Sequence, residues 1–267
     1  MAYLVVITAA IHLMQIFITA SYKIPREINW LVGLALLGLL LFGGVFSGTV
    51  LRWDQEAYEA MTHNMEAATF LGGLGGFFAS AFTTSVSMLP RLYSAHISTV
   101  PLLILLLVLV HILLIKQHGI SATPAQAEAG EAPGGRLPAA KETATYPTHA
   151  RLMVRYGLVL LVLAGLLGVL IPPGIGPVPD PAMEGTKPPF LFFWLYAFED
   201  FFGGVNGILY AGIAVFAFLG LLPFIDRSSF RSLRRRPVFA TIGIALLIAI
   251  MLLSVYVALS PVKSHLG

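Results

Sequence analysis

"HISTVPLLILLLVLVH", residues 96–111, places a histidine at each end of an almost wholly apolar run. Ionisable side chains are costly inside a bilayer, so those that occur there have a partner or a task. Fifteen residues of α-helix rise about 22 Å and leave their ends about 60° apart around the axis. His96 and His111 therefore sit on broadly one face of one helix, one near each membrane surface.

The rest of the chain supports a membrane setting. Its 267 residues are 57% hydrophobic and only 11% charged, with a net charge of +3. That composition belongs to polytopic membrane proteins. Cysteine is absent, which excludes disulfides, thiolate metal sites, Fe–S ligation and thioether-linked haem on this chain. The first residues, "MAYLVVITAAIHLMQ", show neither a basic n-region nor a small-residue cleavage site.

A spanning helix needs about 20 mainly apolar residues. Six segments qualify: Met1–Ala20, Trp30–Leu51, Ile97–Ile115, Val154–Ile171, Gly203–Phe224 and Val238–Leu259. Ala67–Leu89 is uncharged but rich in Gly, Ser and Thr, and loop charge decides how to read it. If it stays on one side, Lys23, Arg26, Lys116 and "DRSSFRSLRRRP" (226–237) all share a face. The positive-inside rule then makes that face cytoplasmic. The opposite face receives Asp54, Glu56, Glu59, Glu66, Asp180, Glu184, Glu199 and Asp200. The expected architecture is an all-α, polytopic transmembrane helical bundle of about six spans. Residues 119–150, rich in Ala, Pro and Gly without periodicity, read as a flexible cytoplasmic linker between residues 1–118 and 151–267.

A lone intramembrane histidine reads as a hydrogen-bonding partner for a neighbouring helix or as a proton relay. A pair at two depths, with His12 in another span, points instead to axial ligation of two stacked haems. His12 and His111 share the cytoplasmic half and can clamp one macrocycle; His96 stands in the outer half. His63, His118, His149 and His265 fall in loops or at the terminus, where solvation is the ordinary state. Gly33 and Gly48 in the second span are also fifteen apart, either for close helix packing or to leave room for two haem faces. Lys23, Arg26 and Lys116 lie near the inner level, as propionate partners, proton donors or topology anchors.

The segments "IHLMQIFITASYKIPREINWLVG" (11–33), "GTVLRWDQEAY" (48–58) and "RLYSAHISTVPLLILLLVLVHILLIKQHGIS" (91–121) closely resemble cytochrome b of the quinol-oxidising cytochrome bc complexes. The histidine spacing is more similar to the chloroplast and cyanobacterial type. Residues Tyr146–Pro261 resemble, collinearly, the separate small subunit IV of that type, here fused through the linker. The resemblance implies a di-haem cytochrome b fold with His12, His96 and His111 as axial ligands to haem iron. It implies Gly33 and Gly48 facing the haems, and Arg91 beside the outer one. Trp53, Asp54 and Gln55, with Pro189 and Phe190, belong to the outer quinol site. It further implies haem b and quinone, a Rieske iron–sulfur protein and a c-type cytochrome as partners, a homodimeric complex surrounded by membrane lipid, and a bacterial inner membrane. No nucleic acid partner is expected.

Two departures from the family pattern stand out. The family's first helix has no counterpart, and the usual partner of His96 falls two positions before Met1. The expectation is therefore an incomplete chain or, as the alternative, a natural split with a partner chain donating that helix. The family's Pro-Glu-Trp-Tyr motif is also absent: in "KPPFLFFWLYAFEDFFGG" (187–204), Pro189 occupies the glutamate's place. Glu199 and Asp200 are the substitute proton acceptors, with ordinary surface acids as the alternative. The divergence points to menaquinol as substrate or to an altered outer site. The implied reaction is bifurcated quinol oxidation, one electron leaving by the Rieske protein and the other crossing the membrane. Three other readings stay open: a di-haem anchor of a formate dehydrogenase or hydrogenase, a cytochrome b serving another multihaem quinol oxidoreductase, and a proton-coupled transporter.

Overall fold

Hydrocarbon leaves backbone N–H and C=O groups no partner but each other, so long apolar segments become helices. The structure, a computed structural model, describes residues 2–70, 72, 87–119, 121, 146–172, 174–182 and 186–261, without the side chains of 146 and 149. Among them there is helix and no strand.

The helices are α1 (Ala2–Ile18), α2 (Glu27–Val50), α3 (Gln55–Phe70), α4 (Met88–His118), α5 (Tyr146–Leu170), α6 (Phe193–Phe202), α7 (Val205–Ile225) and α8 (Pro237–Leu259). Five of them, α2, α4, α5, α7 and α8, are long and apolar enough to cross a membrane. The chain is an integral membrane protein. The expected first span is shorter than the sequence suggests: α1 has 17 residues, at the lower limit for spanning. It stops because the chain turns at Ala20, which adopts a left-handed φ of 48°. From Leu158 to Leu170 the exposed surface of α5 is apolar. Of the ambiguous Ala67–Leu89 stretch, 71 and 73–86 lie outside the described residues, as do 120 and 122–145 of the linker, Glu184 and His265.

Two helices depart from α geometry at informative places. In α2, residues Leu39–Phe46 are π-helical, and in α4 so are Ala95–Thr99, which include His96. A π turn holds one extra residue. Fifteen residues containing one such turn cover the face that fourteen cover in a regular helix. Fourteen is two heptads, the interval that keeps a seam facing its neighbour in a left-handed bundle. The 60° offset expected for an uninterrupted helix thus becomes about 40° of the opposite sign, the drift that a left-handed bundle takes up. The regular helix expected from sequence gives way to these wider turns in both elements.

The two parts of the chain interlock at both ends of the bundle. At the basic end, Asp226 is 1% exposed. Its carboxylate meets Lys23 Nζ at 2.9 Å and Arg236 Nη1 at 2.8 Å, and accepts hydrogen bonds from Tyr22 and Ser228. Arg236 Nη2 donates to the carbonyls of Phe17 and Ile18, capping the C-terminus of α1. Arg231 donates to Ala20 O and Ser121 Oγ, and Trp30 Nε1 donates to Leu219 O. Lys23 also donates to Ser228 O and Phe230 O, and Arg26 to His118 O and Gly119 O. These cations, expected near haem propionates or as topology anchors, tie loops together; Lys116 remains exposed. Next to these contacts, a core of Ala20, Tyr22, Trp30, Leu34 and Leu222 joins the parts.

Candidate functional site

The π turns align the two histidines of α4 with the two glycines of α2. A Cβ on Gly33 would lie 3.5 Å from His111 Cε1, and one on Gly48 would lie 3.2 Å from His96 Cε1. The same two helices thus present the same pairing twice, at two depths. At the basic half, the His12 ring of α1 stands 6.5 Å from that of His111, centroid to centroid, with the planes at 83°. Two imidazoles each with a nitrogen about 2 Å from a shared metal have centroids roughly 6 Å apart. His12 is exposed, His111 half-buried, and His111 Nδ1 has no hydrogen-bond partner in the structure. The residues present fit a bis-histidine haem.

At the other depth, Ser47 Oγ lies 2.8 Å from His96 Nδ1 and also hydrogen-bonds the carbonyl of Gly43. A hydroxyl has one proton. With that proton directed at a carbonyl, Oγ accepts from Nδ1–H, which fixes the imidazole tautomer and leaves the Nε2 lone pair free. This is how an outer-shell partner prepares a histidine for a metal. Ser47 was not anticipated from sequence, although its place beside Gly48 is a signal that could have found it. Arg91 is buried in the first turns of α4, with Nε directed at Ser87 O.

At the acidic end, the Trp-Asp-Gln segment forms a clamp. Trp53 takes a left-handed φ of 53° and remains 41% exposed. Asp54, 2% exposed, caps α3 by accepting from Ala57 N and holds the later loop by accepting from Gly176 N. Gln55 brackets Asp180, accepting from its N–H and donating to its carbonyl. Glu59 accepts from Gln55 and from the backbone and hydroxyl of Thr186. Asp54 and Gln55 therefore face the 176–180 loop, while Trp53 lines a cavity of about 520 Å³ with Tyr58, Gly176, Pro177 and Pro181. Pro189 is buried, and Phe190 packs on Tyr3 of α1 with ring centroids 4.9 Å apart.

His63 corrects an expectation. It is not solvated: its side chain is 13% exposed and Nε2 lies 2.9 Å from Glu199 Oε1. The reason is that Gln55, Glu59 and His63 recur every four residues and so form one polar face of α3, which α6, Asp180 and Thr186 meet. His118 likewise ends α4 with a buried Nδ1 rather than lying in solvent. Glu199 is 1% exposed, not a surface acid, whereas Asp200 beside it is half-buried.

Comparison with known proteins adds sequence kinship to this geometry. The family described as cytochrome b (N-terminal)/b6 matches residues 3–182, and cytochrome b (C-terminal)/b6 matches residues 182–266. A cytochrome bc complex cytochrome b subunit of Chlorobaculum thiosulfatiphilum is 30% identical over 266 residues, covering 96% of this chain and 59% of that protein. Cytochrome b6 of Chlamydomonas reinhardtii is 32% identical over 124 residues, 45% of this chain and 57% of that protein. The chain thus spans under two thirds of the length of these relatives. A solved hyperthermophilic respiratory Complex III chain shares the fold, with TM-score 0.70 and 23% identity over 99% of this chain and 71% of that one.

Proposed function

The chain belongs to the cytochrome b family, and on that premise we propose that it is the membrane subunit of a quinol-oxidising cytochrome bc-type complex. Its setting in this reading is a bacterial inner membrane with the basic end cytoplasmic. A Rieske iron–sulfur protein and a c-type cytochrome take electrons at the acidic end, within a homodimeric complex. The observation that carries the reading is the doubled register, Gly33 against His111 and Gly48 against His96, because two identical pairings at two depths suit two cofactors. The match of residues 182–266 to the C-terminal cytochrome b family favours this over a di-haem anchor or a transporter.

His12 and His111 hold one haem b in this reading, and His96 supplies a ligand to a second. Haem b, when bound, supplies reversible one-electron transfer at its depth. The remaining work belongs to the chain's own side chains. Gly33 and Gly48 leave the α2 face open beside each histidine. Ser47 orients His96, and Arg91 places a cation one to two turns away. At the acidic end, Trp53, Pro189 and Phe190 provide apolar surface for a quinol ring, while Asp54 and Gln55 hold the loop that shapes it. Glu199 accepts a quinol proton.

The direct test is a reduced-minus-oxidised spectrum of the purified protein together with quinol-dependent reduction of a c-type cytochrome by the complex. A b-type α-band and that activity are expected; absence of the band overturns the reading. A narrower prediction concerns Ser47→Ala. Outer-shell partners of metal-binding histidines typically contribute about 10–100-fold in affinity. The variant should lose its His96-bound haem to an apoprotein acceptor about 10-fold faster or more, with the other haem unaffected.

A further inference from the structure

Among the groups that the assignments above leave without a role, His63 has the most constrained surroundings. Its Nδ1 lies 2.9 Å from the carbonyl oxygen of Glu59 on its own helix. A carbonyl only accepts, so Nδ1 carries a proton. The other nitrogen, Nε2, faces Glu199 Oε1 of α6 at 2.9 Å. One proton must lie between them, because an imidazole lone pair against a carboxylate lone pair at that distance is repulsive. The same carboxyl group has a second oxygen, Oε2, that is buried without a hydrogen-bond partner. A buried polar oxygen left unpaired is costly, and such groups in native structures call for an explanation.

Besides Glu199, Glu59 and Glu66 act on His63 from its own helix, and the Tyr196 ring of α6 stands 5.6 Å from it. Tyr196 remains a neutral phenol, since burial foremost and then the nearby carboxylates push its ionisation upward. For His63 itself, burial opposes the charged form, but the hydrogen bond and charge of Glu199 outweigh it and raise its pKa above the usual histidine range.

We propose that His63 is a positioning residue for quinol oxidation: as an imidazolium it holds Glu199 ionised and aimed, so that Glu199 Oε2 is the oxygen that receives a quinol hydroxyl proton. This rests on the quinol-oxidising reading of the chain. In the step, one O–H bond of the quinol breaks and one forms at Glu199 Oε2. The electrons go to the one-electron acceptors of the complex, the Rieske protein first, and the second quinol proton leaves by another route. His63 keeps both of its protons throughout. Its Nδ1–H ends on a backbone carbonyl, which offers no onward path, so His63 sets the state of Glu199 without relaying the proton. The sequence gap at Pro189, where relatives of this type carry an acid, is thereby filled from the next helix, across the contact between α3 and α6.

The experiment uses the intact complex in membranes and the variants His63→Gln, Glu199→Gln and the double substitution. Glutamine keeps a donor toward Glu199 but cannot carry charge, and an unchanged b-haem spectrum serves as the folding control. The first readout is the infrared band of a protonated, deuterium-sensitive carboxyl group. With His63→Gln such a band should appear near neutral pH, and it should be missing from the wild type and the double variant. The second readout is the pH profile of quinol oxidation. Glu199→Gln should lower the rate about 100-fold or more, as for loss of a proton acceptor. For His63→Gln, the acidic limb of the profile should move to higher pH by about one unit or more, the effect of removing an adjacent opposite charge.

An unmoved limb and no new band would make the pair a structural tie between α3 and α6 and overturn the proposal. A wild-type complex that oxidises no quinol overturns the acceptor role together with the functional reading. In that event the carboxyl band still reports separately whether His63 holds Glu199 ionised.

Discussion

His111→Leu should abolish binding of one b haem while leaving the component attached to His96 in the spectrum. His111 Nδ1 makes no hydrogen bond in the structure, and leucine's apolar side chain suits a membrane helix. Gly33 Cβ would stand only 3.5 Å from the imidazole, which shows how closely α2 approaches, and leucine's branched end fits that contact without a polar atom. What is lost is the ring 6.5 Å from His12, and with it one of two iron–nitrogen bonds. Pyridine haemochrome quantification should fall by one haem per chain, and a redox titration should lose one b-type step. Retention of full haem content and an unchanged titration would remove His111 from the axial pair. Gly48→Val makes the matching change at the other depth. Its side chain enters space already 3.2 Å from His96 Cε1, and the other component of the spectrum should weaken.

Asp226→Asn should destabilise the protein by about 3–5 kcal/mol, the usual consequence of removing one partner from a buried ion pair. The amide would leave Lys23 and Arg236, 8% and 2% exposed, without their shared anion. The loops after α1 and between α7 and α8 would lose the group that joins them. Thermal inactivation in detergent, followed by haem release, should show the midpoint fall by many degrees; a midpoint within a degree of the wild type would contradict the latch. Tyr22→Phe, which removes a hydroxyl that donates to the same carboxylate and accepts from Arg236 Nη1 but leaves the ion pairs in place, should cost less, about 1.5–3 kcal/mol.

The same carboxylate gives a pH dependence of definite sign. Burial favours its neutral form, but hydrogen bonds from Tyr22, Lys23, Arg236 and Ser228 outweigh burial and hold Asp226 below the usual carboxylate range. A depressed folded value means that the unfolded chain binds the proton more readily. The contribution is therefore fully present above about pH 4, the unfolded aspartate value, and is lost as the pH falls through the folded value. Lys23 also lies below its ordinary value: burial disfavours its charged form, and Asp226 only partly restores it.

The apolar runs located α2, α4, α5, α7 and α8 to within a few residues at most ends, because spanning length and backbone self-satisfaction are local demands of hydrocarbon. Residues 96–111 likewise announced a helix with histidines at two depths, since costly side chains in an apolar run are visible without any structure. Counting spans against loop charge put the basic loops on one face as an expectation. These features depend on which residues are near one another along the chain.

Facing and pairing depend on what packs against what. The fifteen-residue interval read as a 60° offset until the π turns in α2 and α4 aligned it, and only neighbouring helices select such turns. Asp54 and Gln55 stood in a segment assigned to a quinol pocket, and folding turned them onto residues 176–180. His63 resembled a solvated loop histidine until α6, more than a hundred residues later, covered it with Glu199. Hydropathy and spacing are properties of one segment, and they determined the helices and the candidate ligands. Burial, tautomer and ion pairing arise between segments distant in sequence, and the tertiary structure alone decided them.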